Sequence, residues 1–191
     1  MHRFVTQRLT QDHANISRVL SLMSIQLRFL SADEASGLIL LSTAANYLIH
    51  FPGLLHHPLE ELMFDAVVVG SPSAACLYTR IKQEHGELAA SATDLMARIG
   101  LQQLAHEPQL SELRQTGAQY ILAYGDHIRF EEREIFPMAL DVLKAEQWQG
   151  IRDKLVLDGD PLFSRESRTL YDNLYDALMH QGEHIAGKPK D

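Results

Sequence analysis

The residues best suited to chemistry in this sequence are two histidine–glutamate pairs with the same spacing. His56 precedes Glu60 by four residues, and His127 precedes Glu131 by four. On a helix, residues four apart lie on one face with about 5–6 Å between their Cβ atoms, so an imidazole and a carboxylate can converge on one point. Both groups are ligands of transition metals, and the spacing therefore predicts metal binding. One such pair alone would be a weak signal, because composition produces such pairs by chance.

An internal repeat strengthens this interpretation. Residues 9–13 (Leu-Thr-Gln-Asp-His) align with residues 81–85 (Ile-Lys-Gln-Glu-His), 72 positions later. Residues 56–61 and 127–132 share the pattern His-x-x-x-Glu-Glu, 71 positions apart. Two helix hairpins related by an approximate twofold would bring these groups to one interior point, where two metal ions bridged by carboxylates fit. The predicted ligands of this centre are His13, His56, Glu60, His85, His127 and Glu131.

The elements that must position these residues are helices. Apolar residues recur every three or four positions along most of the chain, as in residues 16–30 and 88–99. Gly, Pro and Asp residues divide the pattern into predicted helices at about 7–30, 34–69, 73–100 and 109–143, with interruptions near 51–53 and Pro137. Shorter helices are predicted at about 146–155 and 165–182.

The predicted fold is therefore all-α, an antiparallel four-helix bundle with additional C-terminal helices. We assign residues 1–143 to the metal-binding bundle and residues 144–191 to a C-terminal helical extension packed on the same domain.

The composition is that of a globular protein and excludes several functions. Of 191 residues, 46 % are hydrophobic and 22 % charged, which suffices for the core of one domain. The net charge of −8 and the scattered Lys and Arg residues argue against nucleic-acid binding. The longest purely apolar stretches have about four residues, far fewer than the roughly 18 of a membrane span, and the N-terminus lacks a signal-peptide pattern. We therefore expect a cytoplasmic protein without a membrane partner. The single cysteine, Cys76, excludes an intrachain disulfide and is expected to be buried.

At the histidine motifs the chain resembles the hemerythrin-like, HHE cation-binding family. The resemblance covers roughly two-thirds of the chain and is carried by Asp12-His13, His56-His57-Pro58-Leu59-Glu60-Glu61, Glu84-His85 and His127-Ile128-Arg129-Phe130-Glu131-Glu132 leading to Phe136-Pro137. It implies a four-helix bundle with a non-haem centre of two iron ions, which carboxylates and an oxo group would bridge.

The sequence departs from the oxygen-carrying hemerythrins at two ligand positions. Those proteins have a His-x-x-x-His pair on the third helix, but here Ile81 stands four residues before His85. They also have an aspartate five residues after the last histidine, whereas here Glu131 follows His127 by four. The resulting set of four histidines and two glutamates is similar to the iron–sulfur repair and iron-sensing branches of the family. More carboxylate favours the ferric state, which disfavours simple reversible oxygen carriage.

Other polar residues are expected beside the centre. His57 could also pair with Glu61 four residues later and bind metal, but the repeat aligns His57 with Ile128 and therefore favours a place near the ligands or at the surface. Glu61 and Glu132 either accept hydrogen bonds from ligand histidines or are solvated. Two tyrosines on the face of His127 are expected to pack in the core, with a redox role beside the metals as the alternative, namely Tyr120 and Tyr124.

Three functional hypotheses arise from this centre. The first is a non-haem di-iron protein that binds or senses oxygen, nitric oxide or related oxidants, or handles iron under such stress. It is favoured because no separate acid–base constellation is visible, and its partner would be a small diatomic or peroxide ligand. The second is a di-iron enzyme of the oxidase, peroxidase or nitric-oxide reductase type that uses the same ligands. The third is a structural or interaction bundle without physiological metal. A homodimer through a helix face is compatible with all three.

Overall fold

The computed structural model describes residues 2–31, 35–105, 110–154, 160–163 and 170–186, and of residues 2, 3 and 181–186 only the backbone. These residues form helices and no strands, which confirms the all-α prediction. The elements in chain order are α1 (His2–Phe29), α2 (Ala35–Phe51), a first π-helical turn (Pro52–His56), α3 (His57–Gly70), a 3₁₀ turn (Pro72–Ala74), α4 (Ala75–Leu104), α5 (Leu110–Phe130), a second π-helical turn (Glu131–Ile135), α6 (Phe136–Val142), α7 (Ala145–Asp153) and α8 (Asp172–Ala186).

The four longest helices pack around a shared interior. Helix α1 contacts α2 and α5, and helix α4 contacts the same two helices. The apolar residues on their inner faces form two separate clusters. Along α1, Leu9 belongs to one cluster and Ile16 to the other, with His13 between them. A polar layer therefore crosses the interior between two apolar clusters.

Two π-helical turns interrupt the hairpins at related places. The turn Pro52–His56 ends two residues before Pro58, and the turn Glu131–Ile135 ends two residues before Pro137. Proline has no N–H and its ring clashes with the carbonyl four residues earlier, so the regular hydrogen-bond ladder cannot continue through it. A π-helical turn widens the helix locally and accommodates this break, and such turns are frequent at functional sites. The predicted interruptions near 51–53 and Pro137 are thus confirmed as π turns.

The segment after α6 packs on the long helices. Helix α7 contacts α1 and α3, and helix α8 contacts α1 and α2. Between them, the Asp160 carboxylate accepts hydrogen bonds from the Asn15 amide at 2.9 Å, the Tyr47 hydroxyl at 2.8 Å and the Leu162 backbone N–H at 3.0 Å. Asp160 is buried together with Tyr47. A buried carboxylate with three donors therefore ties this segment to α1 and α2.

Some boundaries and one burial prediction differ from the structure. Helix α1 begins at His2, five residues before the predicted start. The last helix begins at Asp172, and residues 165–169 of its predicted range lie outside the described residues. The prediction of a buried Cys76 was wrong, because this thiol is exposed. The inner face of α4 runs through Ile81, His85 and Leu88, and Cys76, five residues before Ile81, points away from it.

The continuous helical run Ala35–Gly70 is long and apolar enough to cross a membrane, with a mean hydropathy of 1.5 in its most apolar window. Core helices of soluble proteins meet the same criteria of length and composition. In this chain the run carries His56 and Glu60, both of which are buried inside the structure.

Candidate metal centre

All six predicted ligands meet in the polar layer between the two apolar clusters. Each exposes at most 7 % of its surface. They come from all four of the long helical segments: His13 from α1, His56 from the first π turn, Glu60 from α3, His85 from α4, His127 from α5 and Glu131 from the second π turn. The structure therefore brings together residues that are separated by up to 118 positions in the sequence.

One half of the centre is built around His13 and His56. The Nε2 atoms of these histidines lie 3.4 and 3.3 Å from Oε1 of Glu60. The Nε2 atom of His13 also lies 3.3 Å from Oε2 of Glu131. Two imidazoles and one oxygen from each of two carboxylates thus surround one point.

The other half is built around His85 and His127. The Nε2 atom of His85 lies 3.5 Å from Oε2 of Glu60 and 3.5 Å from Oε1 of Glu131. The Nε2 atom of His127 lies 3.4 Å from the same Glu131 oxygen. Each carboxylate therefore turns one oxygen toward each histidine pair, and the two halves are related as the repeat predicts.

These separations suit metal ligands better than hydrogen-bonded pairs. Two donors about 2.0–2.2 Å from one ion, at angles of about 90–110°, lie about 2.8–3.6 Å apart. The four carboxylate oxygens of Glu60 and Glu131 are buried and have no hydrogen-bond partner within the described residues, and neither does Nε2 of His13 or His127. Buried carboxylates without partners are costly unless a positive charge compensates them. The donor set therefore fits metal cations.

Comparison with protein families agrees with this geometry. The model of the family described as hemerythrin HHE cation binding domain matches residues 5–139, well over half of the chain. The chain belongs to the hemerythrin family. A search of curated proteins gave no match. The resemblance seen in the motifs is thus confirmed, and the matched range contains all six predicted ligands.

In this hemerythrin-family chain, the electrostatics at the first half of the centre favour positive charge. Burial disfavours a charged His56, but the negative charge of Glu60 and its contact with Asp12 outweigh burial and raise the pKa of His56 to about 9. Burial is likewise outweighed at His13, whose pKa is raised by Glu131, Glu132 and Glu60. Conversely, the facing histidines overcome burial and lower the pKa of Glu60. The charged form of the Glu60 carboxylate is therefore favoured.

Three further carboxylates contact the outer nitrogens of the ligand histidines. Glu132 lies 3.1 Å from Nδ1 of His13, Asp12 lies 3.5 Å from Nδ1 of His56, and Glu84 lies 2.9 Å from Nδ1 of His127. A carboxylate at Nδ1 fixes the ring orientation and leaves the Nε2 lone pair for a metal. Glu132 therefore fulfils one of its two predicted roles, whereas Glu61 meets no ligand histidine among the described residues.

Sequence reasoning left the roles of Asp12 and Glu84 unassigned, although a longer repeat would have revealed them. Arg8 donates to Asp12 at 3.0 and 3.1 Å, and Arg80 donates to Glu84 at 2.6 Å. These arginines are themselves 72 positions apart. The repeat thus extends by one residue to Arg-x-x-x-acid-His, and the same arrangement of arginine, acid and histidine occurs twice within the molecule.

The neighbouring aromatic residues occupy two different environments. Tyr120 and Tyr124 are buried in the apolar core, as predicted, and burial raises the pKa of both hydroxyls. His57 instead lies at the centre itself, stacked on His85. Burial and the adjacent His85 lower the pKa of His57 to about 2, so its ring is neutral. Of its expected positions, His57 therefore takes the one near the ligands.

Proposed function

We propose that this hemerythrin-family chain is a non-haem di-iron protein. In this proposal His13 and His56 hold one ion, His85 and His127 hold the other, and the carboxylates of Glu60 and Glu131 bridge the two. The observation that carries it is the division of each carboxylate between the two histidine pairs, at 3.3–3.5 Å. If the centre held a single ion, both oxygens of each carboxylate would be expected to face the same histidine pair.

We further propose that the fold is an antiparallel four-helix bundle. The supporting contacts are those of α1 and α4, each of which packs against both α2 and α5. The short connections between consecutive long helices also favour an antiparallel arrangement. The remaining helices, α7 and α8, would then be additions to this bundle.

Iron is the proposed metal because of the chemistry of the donors. Imidazole suits iron, zinc, copper and nickel, whereas carboxylates alone would suit magnesium, calcium or manganese. A mixed set with two bridging carboxylates inside a helical bundle is the arrangement of di-iron carboxylate proteins. Such a centre supplies redox chemistry and positions for a small exogenous ligand.

We propose that the centre binds or senses oxygen, nitric oxide or a related oxidant, or handles iron under such stress. A groove of about 250 Å³ between α4 and α5 is lined by Glu84 and His127 and gives a small molecule a route toward the centre. The carboxylates of Asp12, Glu84 and Glu132 each contact a ligand histidine. They therefore orient ligands, which favours binding over an acid–base reaction.

Metal analysis combined with optical spectroscopy tests this function. Protein loaded anaerobically with ferrous iron and then exposed to oxygen should contain two irons per chain and show the near-ultraviolet bands of an oxo-bridged ferric pair. The double variant His56→Ala/His127→Ala should lose both properties, and the exposed-site variant His50→Ala should keep them. Less than one iron per wild-type chain, without these bands, would reject the proposal. Steady consumption of oxygen or nitric oxide with a reductant would favour the enzyme alternative.

A further inference from the structure

His57 lies against the second half of the centre, although the repeat assigns it no donor role. Its ring is parallel to that of His85, with 3.7 Å between the ring centroids and 9° between the planes. One donor nitrogen from each of His57, His85 and His127 lies within 4.8 Å of the other two. The Nε2 atom of His57 is buried and has no hydrogen-bond partner in the described part of the chain. Such a nitrogen costs free energy unless something binds it.

The first half of the centre has no equivalent residue among those described. The repeat aligns His57 with Ile128, whose side chain packs in the apolar core and offers no donor. The ring stacked on His13 belongs to Phe136, at 5.3 Å between centroids, and it also offers no donor. The six predicted ligands are therefore divided equally between the two halves, but the half with His85 and His127 has one additional imidazole, that of His57.

The contact of His57 also differs from that of an orienting residue. Orienting residues accept a hydrogen bond from the outer nitrogen of a ligand histidine, as Glu84 does at His127. His57 instead meets His85 face to face, and both nitrogens of His85 lack a hydrogen-bond partner in the described residues. An imidazole lone pair lies in the plane of its ring, so the two rings must tilt out of the stack to bind one ion. The donor nitrogens of His57, His85 and His127 already lie within 4.8 Å of one another, which makes this tilt a side-chain rotation.

We propose that His57 is a third imidazole ligand of the metal ion held by His85 and His127. This inference rests on the proposed di-metal centre and adds an asymmetry to it. One ion has five donor groups from the protein and the other, held by His13 and His56, has four. The positions for a small exogenous ligand then belong mainly to the ion with four.

Competitive metal titration separates a ligand role from an orienting role. Wild-type protein, His57→Ala, Glu84→Ala and the exposed-site control His50→Ala are titrated anaerobically with ferrous iron against a chelator. Loss of an orienting partner lowers metal affinity by about 10–100-fold, which sets the expected effect of Glu84→Ala. His57→Ala should lower the affinity for one of the two ions by more than about 100-fold and leave the affinity for the other unchanged. His50→Ala should bind both ions with wild-type affinity. Two ions bound by His57→Ala with wild-type affinity, or with a loss no larger than that of Glu84→Ala, would overturn the inference.

A spectroscopic count on the wild type tests the same point without a variant. Cobalt-loaded protein with ¹⁵N-labelled histidine should show one hyperfine-shifted, exchangeable ring N–H signal for each ligand histidine. Five signals are expected, and four signals with two bound ions would reject the role of His57 alone. If the wild type takes up no metal, the proposed function itself fails. Because the count uses the wild type, it shows whether His57 binds metal even if the His57→Ala variant does not fold.

Discussion

Replacing Glu131 by Gln should remove most of the stabilisation that metal gives to the fold. The substitution preserves the shape of the side chain, but the amide nitrogen cannot bind a cation. Glu131 is fully buried, and its two oxygens face different histidine pairs at 3.3–3.5 Å. The variant therefore loses a donor to at least one ion and the charge that compensates both. Glu134→Gln is the matched control, because Glu134 lies in the same π turn and is exposed.

The expected magnitude comes from mass action. A ligand that binds only the folded state stabilises it by about 2.7 kcal/mol when its free concentration is 100 times its dissociation constant. For a domain of this size, each kcal/mol shifts the melting temperature by about 2–4 °C, so each ion bound by the wild type should raise it by about 5–11 °C. Glu134→Gln should show the same rise, and Glu131→Gln should show little of it.

The assay is thermal unfolding followed by circular dichroism, with and without anaerobic ferrous iron. Each variant is compared with its own metal-free form, so that any change in metal-free stability cancels. A rise in Glu131→Gln equal to that of the wild type would refute the bridging role of this carboxylate. If Glu134→Gln also lost the metal-induced rise in melting temperature, the effect would depend on the overall negative charge near the π turn and not on the bridging carboxylate.

Three further outcomes are expected. Asp160→Ala should lower the free energy of unfolding in urea by about 2–4 kcal/mol, because it leaves buried donors without an acceptor, while the exposed-site change Asp141→Ala should alter it by less than about 0.5 kcal/mol. The metal-free protein should lose stability as pH rises from about 6.5 to 9, because His56, with a folded pKa of about 9, stabilises the fold fully only below its unfolded pKa of about 6.5. Metal affinity should increase over the same interval, because metal displaces these protons. Urea unfolding and metal titration at several pH values check that stability falls while affinity rises. Glu132→Ala should weaken metal binding by about 10–100-fold in a chelator competition, because Nδ1 of His13 loses its acceptor.

The sequence predicted the six residues of the centre because helical spacing is a local rule and the repeat relates the two halves to each other. A pair four residues apart on a helix shares a face whatever the rest of the fold does. His56 and Glu60 on one side, and His127 and Glu131 on the other, accordingly meet within 3.4 Å. The all-helical class was equally accessible, since the apolar period extends over most of the chain. Cys76 was misjudged because composition gives the average burial of a residue type and carries no information about its helical face.

The sequence predicted His57 near the ligands as one alternative, but its contact with His85 could not be predicted, because it depends on the helical phase after the first interruption. A π-helical turn inserts about one residue into the helix and rotates the residues after it by about 100°. The first π turn ends immediately before His57. The sequence predicted an interruption near 51–53 but not how many residues it inserts, and the alignment with Ile128 supplies only an apolar counterpart. Only coordinates reveal which neighbour of a ligand histidine turns toward the centre.

One position at which the two repeats differ explains how a repeated sequence can build an unequal centre. Each half supplies the same four elements: an arginine, an acid, an isolated histidine and a His-x-x-x-Glu pair. By themselves these elements would give two equivalent ions, and neither would be preferred by an exogenous ligand. The repeats differ at the residue that follows the paired histidine, which is His57 after His56 and Ile128 after His127. The imidazole of His57 lies against His85, whereas the side chain of Ile128 packs in the apolar core. One substitution next to a ligand histidine is thus sufficient to give the two metal positions different donor sets while preserving the bridging carboxylates.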